Sequence, residues 1–117
     1  MYNSDEMNIN ELTKAMHDFV QNQGWYKPDS PRPQTPKNLA ISLSIEAAEV
    51  MEHIQWVDKP TDPHKLAGEL ADVMLYLLQL ASITGINLEK AVQEKLKVNA
   101  ERKWDVKTKN TKENNED

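Results

Sequence analysis

At 117 residues the chain suits one compact domain, large enough to bury a single core but not two. Three glycines and an abundance of strong helix formers favour an all-α fold, and the absence of cysteine excludes disulfides, thiolate zinc sites and a cysteine nucleophile. A net charge of −5 argues against a nucleic-acid polymer as main partner, since that affinity comes mostly from cation contacts to phosphate, but leaves small phosphorylated ligands open.

No uninterrupted apolar run approaches the roughly 18 residues that span a bilayer, and the opening "MYNSDEMNIN" is acidic and polar. No membrane partner and a cytoplasmic location are expected. In chain order, "MNINELTKAMHDFVQNQG" places Leu12, Met16, Phe19 and Val20 at helical spacing and ends at Gly24, a C-cap signal. "WYKPDSPRPQTP" holds four prolines in twelve residues and reads as a loop. Thr35 as N-cap and Pro36 at the first helical position open helix two, expected to run to about Val57. Asp62 and Pro63 repeat that signal for helix three, which carries Leu66, Leu70, Val73, Met74, Leu77 and Leu80 up to Gly85. Asn87 caps helix four, "LEKAVQEKLKVNAERKW", with Leu88, Val92, Leu96 and Val98 expected to face inward. The polar tail, residues 105–117, should be disordered, which leaves one domain over residues 1–104. The expected architecture is an antiparallel four-helix bundle completed by homo-oligomerisation, because helix three is too apolar all round for three short partners to cover.

Four acids sit among these apolar residues, where an unpaired carboxylate is costly to bury. Glu46 and Glu49 are three apart on helix two, and Glu69 and Asp72 are three apart on helix three, so each pair shares a helix face. If the short connection makes the helices antiparallel neighbours, both pairs converge. Four carboxylates would then repel one another unless a cation neutralised them, and all-oxygen ligation suits Mg²⁺ or Mn²⁺. The competing reading is a pair of ordinary solvated stripes.

"NLAISLSIEAAEVMEHIQW", "ELADVMLYLLQLA" and "KLKVNAERKW" together resemble the MazG-like all-α nucleoside triphosphate pyrophosphohydrolases, over roughly residues 10 to 104. The resemblance is to the small single-domain branch that includes the dCTP pyrophosphatases and their integron-borne relatives. That family carries a glutamate pair on one helix and E-x-x-D on the next, as Glu46, Glu49, Glu69 and Asp72 stand here. Many members have a further glutamate before the first ligand; this chain has Ile45, which points away from the longer MazG proteins.

The resemblance implies hydrolysis of a nucleoside triphosphate, dCTP or a modified dCTP first, to the monophosphate and pyrophosphate. It implies Mg²⁺ on the four acids, with Mn²⁺ a substitute, a homodimer or homotetramer, and house-cleaning of the nucleotide pool. Such a metal would neutralise phosphate oxygens and activate a water, with Glu49 the candidate to orient or deprotonate it. Lys95, Asn99 and Arg102, at i, i+4 and i+7 of helix four, take the family's phosphate-holding roles. Lys37 and Asn38, at the amino end of helix two, are further phosphate candidates. Trp25, Trp56 and Tyr76 are candidates for the wall against the base, and Trp104 for packing against the bundle or a neighbouring subunit.

A di-iron carboxylate protein would need Glu-x-x-His; Val50 and Thr61 stand three before His53 and His64, so the diagnostic ligand is missing. His53 reads as a rim or interface residue and His64 as solvated. Two rivals remain: a non-catalytic helical interaction module whose acids pair with Lys95, Arg102 and their neighbours, or the same chemistry on a damaged purine nucleotide or phosphoribosyl-ATP.

Overall fold

Each cap signal opens a helix. The computed structural model describes residues 6–102, and within them the chain forms four helices and no strand: α1 (Ile9–Asn22), α2 (Pro36–Glu52), α3 (Pro63–Ile83) and α4 (Leu88–Glu101). Thr35 Oγ1 accepts from the Asn38 amide at 3.1 Å, Asp62 Oδ1 from that of Lys65 at 3.1 Å, and Asn87 Oδ1 from that of Lys90 at 3.0 Å. Each satisfies one of the amide donors a helix leaves open at its start. α1 opens on a reciprocal pair, Asn8 with Glu11, which no earlier signal had singled out. Gly24 and Gly85 take φ of 79° and 75° after α1 and α3, a left-handed turn that a side chain would strain.

α3 is the central element, packed most extensively on α2, then on α1 and α4. Its start meets the end of α2, where His53 approaches Glu69; its later turns meet the start of α2 and the preceding loop, where Asn38, Gln34 and Gln79 line one cavity. α2 and α3 therefore run antiparallel. Met16, Val20 and Leu78 form a buried cluster, with Ile9, Leu12, Trp25 and Leu88 packed around it. Leu39, 2% exposed, is buried on α2.

Two expectations are corrected. Helix two stops at Glu52 rather than near Val57: the amides of His53, Ile54 and Val57 bond three residues back, the tightened turns of a chain reversing before Pro60. α4 does not turn its apolar residues inward. Leu88 reaches the core, but Val92, Leu96 and Val98 are 48, 64 and 50% exposed, because α4 leaves the bundle after the Gly85 turn and buries no residue fully. The tail expectation for residues 105–117 and the placement of Trp104 lie outside the described residues.

α3 is also long and apolar enough, by length and composition, to cross a membrane, with a mean hydropathy of 1.4 over its best window. Counting uninterrupted apolar runs had missed this, because Glu69 and Asp72 interrupt the run. The helix packs on α1 and α2, yet only 17% of that window is buried within one chain.

Candidate functional site

The antiparallel packing of α2 on α3 brings three of the four acids together. Glu46, Glu49 and Glu69 can each place one carboxylate oxygen so that all three lie within 4.8 Å of one another, and all three side chains are half-buried. Asp72, one turn along α3 from Glu69, is exposed and is not part of that set. Its charge nevertheless acts on Glu46, and it lines the adjoining cavity. The electrostatics are those of crowded anions. Burial pushes the Glu46 carboxyl up from its ordinary value, and the charges of Glu49, Asp72 and Glu69 push it further. Glu49 is raised chiefly by its hydrogen bond with the Glu69 carboxyl, then by burial and by the charges of Glu69 and Glu52. Glu46 Oε1 is buried with no hydrogen-bond partner among the described residues. An orphaned anionic oxygen beside two more carboxylates is a donor set that fits a hard divalent cation.

His53, half-buried, lies with Nε2 3.4 Å from Glu69 Oε2, beside the acids; His64 is exposed.

From Asp72 a cavity of about 670 Å³ extends between α1, the proline-rich loop, α2 and α3. That is the size of a small-molecule site. Its apolar wall includes Leu12, Met16, Phe19, Trp25 and Leu39, and its polar lining includes Arg32, Gln34, Asn38, Tyr76 and Gln79. Trp25 meets Phe19 edge-on at 5.7 Å, and the Arg32 guanidinium lies 5.5 Å from the Trp25 ring centre. Trp25 and Tyr76 thus line the cavity, whereas Trp56, 85% exposed in the turn after α2, does not. Lys37, Lys95, Asn99 and Arg102 do not line it either: Lys37 is at the start of α2, Lys95 and Asn99 are on α4, and Arg102 is the extended residue that caps its end. Asn38 does, with its Nδ2 donating to the Pro33 carbonyl at 2.9 Å.

Arg32, Gln34 and Gln79 were not anticipated. The loop residues carry no periodicity to reveal them. Gln79 left a faint signal, as a polar residue in the apolar run Val73 to Ala81, seven positions after Asp72 and so on the same face.

A family model described as the MazG-like family matches residues 41–117. The chain belongs to the MazG-like family. A solved structure, that of a pyrophosphatase from Archaeoglobus fulgidus, has a TM-score of 0.65 and 31% sequence identity, covering 96% of this chain and 100% of the other. The dCTP pyrophosphatase 1 proteins of Rattus norvegicus and Homo sapiens are each 28% identical over an alignment of 108 residues that covers 85% of this chain. The chain spans 61% of the length of these curated relatives. The MazG-like likeness thus extends from the motifs to the arrangement of the helices.

Proposed function

We propose that this MazG-like chain is a metal-dependent nucleoside triphosphate pyrophosphohydrolase, converting a triphosphate to its monophosphate and pyrophosphate, with dCTP or a modified dCTP the first substrate to test. The observation that carries the reading is the convergence of Glu46, Glu49 and Glu69 beside a cavity of nucleotide size that Asp72 joins to them. The relatives named as pyrophosphatases supply the reaction class.

Glu46, Glu49 and Glu69 would hold Mg²⁺, with Asp72 beside them and Mn²⁺ a substitute. Bound there, the ion supplies charge neutralisation for the phosphate oxygens and lowers the pKa of water. Glu49 would accept the proton of the attacking water at a carboxylate oxygen, and His53, beside Glu69, would steady that carboxylate. Trp25 and Tyr76 offer faces for the base, and Arg32, held over Trp25, brings positive charge to the cavity wall. Lys95, Asn99, Arg102 and Lys37 stay in the proposal as phosphate contacts. For Lys95 and Asn99 on α4 and Arg102 at its end, assembly would be the means of approach.

The exposed apolar surface supports assembly as a homodimer or homotetramer. Leu70, Met74 and Leu77 of α3 and Val92, Leu96 and Val98 of α4 are all more than a third exposed, more than a lone chain ordinarily shows on adjacent elements. A cytoplasmic location and a house-cleaning task complete the proposal. The test is incubation with Mg²⁺ and a panel of deoxynucleoside triphosphates, damaged purine nucleoside triphosphates and phosphoribosyl-ATP, followed by pyrophosphate release. Turnover fastest with dCTP or a modified dCTP is expected; no release from any of them would leave a helical interaction module.

A further inference from the structure

Gln79 is buried to 2% exposure in the middle of α3 and lines the cavity. A buried amide is costly unless it is hydrogen-bonded, and here its donors are satisfied within the protein. Nε2 donates to the Tyr26 hydroxyl at 3.2 Å and to Gln34 Oε1 at 2.7 Å. Both acceptors are themselves held. The Tyr26 hydroxyl lies 2.6 Å from His17 Nδ1, and His17 Nε2 lies 2.7 Å from Ser82 Oγ. Gln34 donates its own amide to the Arg32 carbonyl at 2.7 Å. This relay sets the direction of the Gln79 amide. Turning it over would press its carbonyl oxygen against Gln34 Oε1, two acceptors with no hydrogen between them, and strip both N–H groups of partners.

A free glutamine side chain can offer a ligand either a donor or an acceptor. With both of its N–H groups committed, Gln79 can offer only Oε1, an acceptor. An acceptor complements an exocyclic amino group and repels a carbonyl at the same place. We propose that Gln79 determines base specificity: it selects a nucleobase bearing an exocyclic amine, cytosine or adenine, over the keto counterparts uracil and hypoxanthine. This rests on the reading that the cavity receives the base of a nucleotide.

The experiment measures kcat/KM on matched pairs, dCTP against dUTP and dATP against dITP, for the wild type and Gln79→Leu. The wild type should favour the amino member of each pair it turns over by about tenfold or more, as sites built around one hydrogen bond do. Gln79→Leu should bring the ratio to within about threefold, whereas a merely structural role would lower both members alike and leave the ratio. A wild type indifferent within the pairs, or a folded variant that keeps the full preference, overturns the proposal. Should Gln79→Leu fail to fold, Gln34→Leu decides. It removes the acceptor that bars the turned amide, whose carbonyl can then accept from the Tyr26 O–H while an N–H is released, and should raise turnover of the keto member relative to its partner; an unchanged ratio overturns the proposal. If no triphosphate is hydrolysed, the proposed activity falls, and equilibrium titration with dCMP and dUMP judges Gln79 separately. A preference for dCMP that Gln79→Leu (or Gln34→Leu, if that variant does not fold) removes supports the inference; equal or absent binding, or a preference the variant keeps, overturns it.

Discussion

Glu49 on α2 and Glu69 on α3 face each other with carboxylate oxygens within 4.8 Å, a contact that becomes a hydrogen bond only when one of the two carries a proton. With both ionised it is a repulsion, and a divalent cation between helices would relieve it.

Removing the cation, or either of these carboxylates, should therefore remove turnover. Chelation should abolish pyrophosphate release and added Mg²⁺ should restore it. Glu49→Gln and Glu69→Gln should each lower kcat by about a hundredfold or more while the far-ultraviolet circular dichroism stays that of the wild type. Full activity in both variants would refute the metal assignment.

The same crowding makes the metal-free protein sensitive to pH. Glu46 and Glu49 have carboxyls raised on folding, so between the unfolded value of about 4.3 and the raised folded value the native chain holds more protons than the unfolded one. Their contribution to stability is then present at low pH and lost as pH rises through the folded pKa. Calorimetry should show that Glu46→Gln raises the metal-free Tm at neutral pH, with the gain shrinking towards pH about 4. Mg²⁺ at neutral pH should raise the wild-type Tm more than that of the variant. A gain independent of pH would show that the acids do not repel.

Trp25 is held from two sides in the cavity, by Phe19 and by Arg32. Trp25→Ala should raise KM for the preferred triphosphate by about tenfold or more, since stacking a base on an aromatic ring is worth roughly 1–3 kcal/mol. Trp56→Ala is informative by contrast: at 85% exposure its effect on KM should appear only where a second copy covers it. Kinetics across protein concentrations, read beside the assembly state, separate the two.

Sedimentation velocity should show a dimer or tetramer. Leu70→Glu places a charge on the exposed apolar side of α3, where Leu70 is 52% exposed, and should shift the protein towards monomer with little loss of helix. An unchanged sedimentation coefficient would place the interface elsewhere.

Leu78, 2% exposed between Met16 and Val20, has no such freedom. Leu78→Ala should destabilise the fold by about 2–5 kcal/mol in denaturant titration, through lost burial and the void left behind. A smaller loss would mean that the cluster collapses around the gap.

The helix starts at Thr35, Asp62 and Asn87 were legible in the chain because a cap is a bond between residues three apart, which requires no tertiary contact. The two acidic pairs were legible for the same reason, since residues three apart share a face on any helix. That Glu46, Glu49 and Glu69 meet while Asp72 joins the cavity depends on how α2 lies against α3. No spacing within either helix encodes that. The apolar spacing of α4 could not reveal that Val92, Leu96 and Val98 stay about half exposed or more among the described residues, because periodicity names a face and not what covers it. Gln79, Gln34, Tyr26 and His17 come from three separate segments, and their hydrogen bonds span nine to sixty-five positions once Ser82 is included. The helices were written locally; the pocket between them exists only after long-range packing has closed it.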